Sequence, residues 1–357
     1  MTLSSAPLDP AAAARPADKA LRSRPSVAWW LLANAAMVAA MIVIGGITRL
    51  TESGLSMVEW RPLMGWIPPL SAAEWERVFA LYRETPEFRV QNSWMGLADF
   101  KTIFFWEYLH RLWGRLIGLV FALPFLFFLA TGRIERALAP RLAALFLLGA
   151  IQGGIGWWMV TSGLADEPRV SPYRLTLHLS MAFLILGVLL WTALELRDGG
   201  RGAASPALRH GATLVLALVS LTVLAGAFVA GTDAGYAYNT FPLMDGRLVP
   251  EGYWVPELGI ATLFEWVPAV QFNHRWLAVG TALVTLGYAH WALRRVPAEG
   301  GGVLPLRLLT VAVTLQVALG IAALLLVVPV WLGALHQGGA VLLFAIAVWV
   351  RFGFSRG

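Results

Sequence analysis

Eight segments of this chain are each long and apolar enough to cross a lipid bilayer as a helix. A spanning helix needs about 20 predominantly apolar residues. The sequence predicts such helices over residues 27–48, 110–131, 142–164, 173–196, 211–231, 272–293, 308–328 and 330–350. Charged residues make up 13% of the chain, whereas a soluble domain carries about 25%. The chain is therefore predicted to be an all-α integral membrane protein that contacts the lipid bilayer along all eight helices.

Basic residues in the short loops predict the orientation of these helices. They precede the first predicted helix and follow the second, fourth, sixth and eighth, and they include Arg24, Arg136, Arg201, Arg295 and Arg351. The positive-inside rule makes these loops, and with them both termini, cytoplasmic. The net charge of +6 therefore reflects membrane topology, and no nucleic-acid partner is expected because the basic residues are not clustered.

An internal repeat divides the helices into two groups of four. His110-Arg111 matches His274-Arg275, and Gln152 matches Gln316, both at a separation of 164 residues. His178 matches His336 at a separation of 158 residues. Matched positions in the same order indicate a duplicated unit, as in other membrane proteins built from repeats. We expect eight transmembrane helices arranged as two pseudo-symmetric four-helix bundles.

The predicted organisation has five parts. They are a disordered cytoplasmic tail, an N-terminal bundle, a cytoplasmic linker, a C-terminal bundle and a short tail, over residues 1–26, 27–196, 197–210, 211–350 and 351–357. The tail assignment rests on a composition rich in Ala, Pro and charge.

The long outer loop over residues 49–108 is expected to contain structure of its own. Ser71 and Glu74 have the spacing of a capping box, which predicts a short amphipathic helix suited to lying on the membrane surface. Asp99 is predicted to start a second short helix. The matching loop, over residues 232–271, is shorter and lacks the amphipathic helix.

Four histidines are the strongest chemical signal in the chain. His110, His178, His274 and His336 each lie within about two turns of the outer end of an even-numbered predicted helix. Histidine inside a membrane is costly and usually faces a bundle interior or a functional cavity. A ring satisfied by a neighbouring carbonyl is the alternative for any single histidine, but four matched positions favour metal ligation.

Bis-histidine haem is the chemistry that best suits these residues. Two imidazoles on neighbouring helices can occupy both axial positions of a haem iron. A zinc site needs three or four ligands, whereas each half offers two matched histidines and the chain has no cysteine. His210 and His290 have no partners in the repeat and are interpreted as structural.

Polar residues near the histidines have two readings each. Arg111 and Arg275 suit haem propionates, or else they are arginines of the membrane interface. Gln152 and Gln316 could bond across helices or touch the macrocycle. The halves differ at the position three residues before the first histidine, which is Glu107 in one half and Gln271 in the other. Glu107 could act as a general base or stabilise positive charge, or it could be an acid at the start of a helix.

The chain resembles the haem A synthase family from about residue 28 to residue 350. The motifs that carry the resemblance include Gly45-Gly46-Ile47-Thr48-Arg49-Leu50, Trp60-Arg61-Pro62, Glu107-Tyr108-x-His110-Arg111 and Asn239-Thr240-Phe241-Pro242-Leu243-Met244. The lack of cysteine is similar to the subgroup found in proteobacteria and mitochondria.

The resemblance implies an oxidoreductase that oxidises the C8 methyl group of haem O by successive hydroxylations. The resulting gem-diol loses water to give the formyl group of haem A, which serves cytochrome oxidase. By the same resemblance, His110 and His178 hold the substrate haem, His274 and His336 hold a haem b cofactor, and Glu107 is the functional acid.

The resemblance also implies a setting and partners. The setting is the bacterial inner membrane. Haem O synthase and cytochrome oxidase assembly factors are the expected partners, and a homo-oligomer is compatible with the sequence. The alternative function is that of a dihaem b-type electron-transfer protein or a quinone-linked oxidoreductase. Either alternative predicts equivalent halves, and the difference between Glu107 and Gln271 disfavours both.

Overall fold

The computed structural model describes residues 16–60, 65–164, 168–198 and 205–355. The start of the predicted tail, most of the linker, residues 61–64 of the outer loop and the last two residues lie outside these ranges. The described residues form ten α-helices and no strand. They are α1 (Pro16–Leu50), α2 (Ala72–Arg83), α3 (Leu97–Ala130), α4 (Ala139–Gly163), α5 (Pro172–Asp198), α6 (Pro206–Gly231), α7 (Thr262–Glu265), α8 (Val267–Leu293), α9 (Val303–Leu325) and α10 (Val330–Gly353).

Eight of these helices, all but α2 and α7, are long and apolar enough to cross a membrane. This confirms the predicted fold class. Helix α1 begins at Pro16, eleven residues before its predicted start, although its apolar span begins at Arg24. The residues before the span include Ala, Lys, Leu and Arg, which favour helix, and they follow a proline suited to a first turn. Disorder was therefore the wrong prediction for residues 16–26.

Helix α3 also begins earlier than predicted, at Leu97. Its third residue, Asp99, accepts a hydrogen bond from the backbone N–H of Gly96 at 3.0 Å. Asp99 thus marks a helix start, but the separate short helix is wrong, because no proline or glycine interrupts the chain before the membrane span. With 34 residues, α3 is about 50 Å long, well beyond the thickness of a bilayer core.

The amphipathic helix α2 packs on the start of α3. Ser71 caps it by accepting from the backbone N–H of Glu74 at 3.2 Å, as the sequence predicts. Its apolar face, with Phe79 and Tyr82, is buried against Phe100 and neighbouring residues of α3. Protein covers this face, so the predicted contact with the membrane surface is wrong. We call α2, residues 88–92 and residues 97–107 of α3 the outer cap.

The membrane helices close two rings of contacts. In the first ring α1 contacts α3 and α5, and α4 contacts the same two helices. In the second ring α6 contacts α8 and α10, and α9 contacts the same two helices. The halves meet where α1 contacts α10, where α5 contacts α6, and where α5 contacts α10. This arrangement is consistent with the predicted pair of pseudo-symmetric bundles.

The main apolar core lies toward the predicted cytoplasmic ends of the helices. It extends from Val27 to Ile42 in α1 and from Leu208 to Val219 in α6, and it includes Phe183 in α5 and Phe344 in α10. The four matched histidines all lie on the other side of this core, toward the outer loops. The fold therefore has a tightly packed end and an end where polar side chains gather.

Candidate haem-binding site

The four matched histidines form one pair in each half. His110 on α3 is close enough to His178 on α5 for their charges to interact, and His274 on α8 is equally close to His336 on α10. All four rings are half-buried. Among the described residues no group of three acidic, histidine or cysteine side chains could hold a metal ion.

The depth of the histidines differs between the halves. His178, His274 and His336 lie about two turns from the start of their helices, as the sequence predicts. His110 lies 13 residues after the start of α3, because that helix extends into the outer cap. His210 and His290 are exposed and lie near the predicted cytoplasmic ends of α6 and α8, away from the pairs.

Each of the four histidine rings packs on a glycine of the neighbouring helix. A Cβ atom at these glycines would lie within about 3 Å of the ring, which is too close for a real contact. The distances from the added Cβ to Cε1 are 2.9 Å for Gly45 and His110, 2.9 Å for Gly156 and His178, 3.0 Å for Gly226 and His274, and 2.8 Å for Gly320 and His336. The repeat therefore extends to the surfaces that hold the rings. The sequence pointed to Gly156 and Gly320, which follow the matched glutamines, but it did not connect Gly45 or Gly226 with a histidine.

The geometry of these rings fits an axial ligand of haem. The Nδ1 atoms of His110, His178 and His274 are buried and have no hydrogen-bond partner among the described residues. The backbone of Gln152 faces the ring of His178, and the backbone of Thr222 faces that of His274. A histidine that ligates metal through Nε2 donates its Nδ1 proton to such a carbonyl or carboxylate. The paired rings therefore suit a planar group held from both sides.

The two matched glutamines bond across helices. Nε2 of Gln152 donates to the backbone oxygen of His178 at 2.9 Å, and Nε2 of Gln316 donates to that of His336 at 3.0 Å. Of the two roles that the sequence left open, the structure shows this one. Each glutamine holds the helix that carries the second histidine of its half.

Arg111 ties the outer loop of the first half to α3. Its guanidinium donates to the carboxylate of Glu107, to the backbone oxygen of Met57 at 2.8 Å and to that of Glu59 at 3.0 Å. It also lies 5.4 Å from the centroid of the Trp60 ring. The donors of Arg111 are thus directed at the loop, where the sequence allowed for a haem propionate.

Arg275 makes the same kind of connection in the second half. It donates to the backbone oxygens of Pro242, Leu243 and Tyr238, each at 3.1 Å, and to Oε1 of Gln271 at 3.2 Å. In both halves the arginine after the first histidine holds an outer loop over the bundle.

Glu107 and Gln271 perform matching tasks with opposite hydrogen-bond directions. Glu107 is 3% exposed and accepts from the hydroxyl of Ser56 and the backbone N–H of Met57, both at 2.7 Å. Gln271 is 4% exposed and donates to the backbone oxygens of Ala234, at 2.9 Å, and Ala237. The first half thus buries a carboxylate beside its histidine pair, and the second half buries a neutral amide.

Comparison with known proteins agrees with this arrangement. A family described as cytochrome oxidase assembly protein matches residues 28–348. The chain is 53% identical to the haem A synthase of Rhodospirillum centenum over 333 residues, covering 91% of this chain and 87% of the relative. It is 48% identical to the haem A synthase of Nitrosospira multiformis over 344 residues, covering 95% and 96%. It is 50% identical to that of Maricaulis maris over 339 residues, covering 93% and 97%. The chain therefore belongs to the haem A synthase family of cytochrome oxidase assembly proteins.

Proposed function

We propose that this protein is an oxidoreductase that converts haem O to haem A for cytochrome oxidase. The relatives' names support the reaction, and one structural observation supports its division between the halves. Two equivalent histidine pairs differ in that Glu107 is a buried acid where Gln271 is an amide. Two identical electron-transfer sites would not need this difference.

In this proposal the first half binds the substrate. His110 and His178 hold haem O, whose C8 methyl group is oxidised to a formyl group by successive hydroxylations. Glu107 serves as the functional acid, and its contacts support a positioning role. It holds Arg111 and the segment around Ser56 and Met57 over the bundle, which orients the loop and keeps outside water away. Its negative charge also lies one helical turn from His110.

The second half would hold a haem b through His274 and His336. When bound, this haem supplies a one-electron redox centre beside the substrate. Gln316 holds the backbone at His336, and Gln271 holds the outer loop, so the residues of this half maintain one fixed geometry. We also propose that the protein lies in the bacterial inner membrane with both termini cytoplasmic and both histidine pairs toward the outer side.

Extraction of the bound haems tests this proposal. The protein is purified in detergent, and its haems are extracted in acid acetone and separated by reverse-phase chromatography. We expect haem B together with haem O, haem A or a hydroxylated intermediate. His274→Ala should lose haem B, whereas His110→Ala should keep haem B and lose the others. About two haem B per chain, unchanged when haem O is supplied, would instead indicate a dihaem electron carrier.

A further inference from the structure

One glutamine that the proposed reaction does not use connects the two halves inside the membrane. Gln337 on α10 donates from Nε2 to the backbone oxygen of Ile42 on α1 at 2.7 Å. Its Oε1 lies against Gly46, where a Cβ atom would approach to 2.0 Å. The amide therefore packs on a single turn of α1 that has no side chain in the way.

This turn of α1 also supports a histidine. Gly45, on which the His110 ring packs, directly precedes Gly46, and Gln337 directly follows His336. Two adjacent residues of α1 thus contact the first-half site and the helix that carries a second-half ligand. A movement of α10 against α1 would therefore change the surface behind His110.

The contact is present at one of two equivalent places. The repeat places Leu179 where the second half has Gln337, and Ala227 where the first half has Gly46. Hence the α1–α10 interface has an amide on a glycine, and its counterpart between α5 and α6 has a leucine and an alanine. A polar side chain within a membrane helix is costly unless it bonds to a neighbour, so a polar contact in one interface indicates a specific role.

We propose that Gln337 is a positioning residue that couples the two histidine pairs, so that haem O binding in the first half depends on how α10 is held in the second. The proposal rests on the function proposed above. Such coupling requires an element that both sites contact, and here the element is the turn of α1 over residues 42–46.

Haem O titration of the Gln337→Leu variant tests the coupling. Haem O is added to detergent-purified protein and followed by its Soret absorbance, while bound haem B is measured by extraction. Gln337→Leu should keep the wild-type content of haem B and bind haem O about three- to tenfold more weakly, the range expected for one interhelical bond in a membrane. Leu335→Ala is the matched control. Leu335 precedes His336 and is 53% exposed, so its variant should bind haem O as the wild type does.

A second pair of variants tests the packing separately. Gly46→Ala should weaken haem O binding because its Cβ collides with Gln337. Adding Gln337→Ala should restore part of the affinity by removing the collision. Haem O affinity within twofold of wild type in both Gln337→Leu and Gly46→Ala, with a lowered melting temperature, would overturn the coupling and leave Gln337 as a contact that only holds the halves together.

His110→Ala separates this result from a failure of the proposed function. If wild-type protein and His110→Ala bind haem O equally, the first half is not the substrate site, and the function itself is wrong. If His110→Ala alone loses binding while the Gln337 and Gly46 variants do not, the function stands and the coupling does not.

Discussion

Arg49, in the last turn of α1, forms an ion pair of 2.6 Å with Asp233, which follows α6, and so joins the two halves at their outer ends. Asp233 has a left-handed backbone with φ of 56°, and its counterpart in the repeat, Glu52, has φ of 50°. The chain thus turns in the same way after α1 and after α6. The position equivalent to Arg49 is Ala230, so the repeat makes this connection from one side.

Substitutions of Asp233 should separate its charge from its backbone. The paired side chains are 27% and 31% exposed, so the ion pair should contribute at most about 1 kcal/mol. Asn tolerates the left-handed conformation, whereas Ala does not and costs roughly 1–2 kcal/mol more. Thermal unfolding in detergent should therefore rank wild type above Asp233→Asn and Asp233→Asn above Asp233→Ala. Equal melting temperatures for the two variants would contradict the assignment of strain to this turn.

Alanine at the glycines beneath the histidines should expel haem from one half at a time. Gly320→Ala places a Cβ 2.8 Å from the His336 ring, and a forced contact of this kind costs ~1–3 kcal/mol. Haem B retention should fall about tenfold or more, as measured by haem content per chain after dilution. Gly156→Ala should leave haem B in place and remove haem O.

Other glycines provide the control for this series. Gly153 lies on α4 near Gly156, but an added Cβ there would meet no atom within 4 Å. Gly153→Ala should therefore keep both haems. Equal losses from Gly153→Ala and Gly156→Ala would show that the helix, rather than the contact with His178, is sensitive to alanine.

Exchanging the acid and the amide between the halves should have unequal effects. Glu107→Gln removes the charge and should leave the protein assembled while haem A formation stops, as measured by chromatography of extracted haems. Gln271→Glu places a carboxylate against the backbone oxygens of Ala234 and Ala237, where no donor awaits it. That variant should lose stability and haem B. Unchanged haem A formation in Glu107→Gln would return Glu107 to a structural role.

The outer cap should become less stable as the pH rises. Glu87 is 4% exposed, and burial raises the pKa of its carboxyl from 4.5 to about 8, while the hydroxyl of Tyr82, 2.9 Å away, opposes the rise. Between these two values the folded state holds a proton that the unfolded state has released, so stability falls as pH rises through this window. Proteolysis of residues 72–92 should be faster at pH 9 than at pH 6.

Glu87→Gln is the matched variant for this effect. The amide is neutral at every pH, and its oxygen can still accept from Tyr82. The dependence of proteolysis on pH should therefore disappear in Glu87→Gln. A pH dependence as steep as that of the wild type would assign the effect to another group.

The eight spans and the paired histidines could be predicted because their signals are local or repeated. Apolar length locates a membrane helix, and the repeat pairs His110 with His274 without any structure. The true start of α3 could not be found in this way, since hydropathy reports the part of a helix inside the membrane and is silent on its extension into water.

The contacts of Arg111 and Gly45 could not be predicted for a different reason. A guanidinium binds a propionate or a set of loop carbonyls equally well, and the choice depends on how the loop folds. The packing of His110 on Gly45 depends on the register between two helices, which a single sequence does not encode in a local pattern. Both contacts become visible once α1 and α3 are placed side by side.

The length of α3 has a mechanical consequence. A continuous helix resists bending, so α3 acts as a rod with His110 inside the membrane and the outer cap clamped to its projecting end. Pressure on α2 is transmitted along this rod to the first-half ligand. Helix α8 begins only seven residues before His274 and offers no comparable handle. The ligand geometry of one half can thus be adjusted from outside the bilayer, while that of the other is insulated from it.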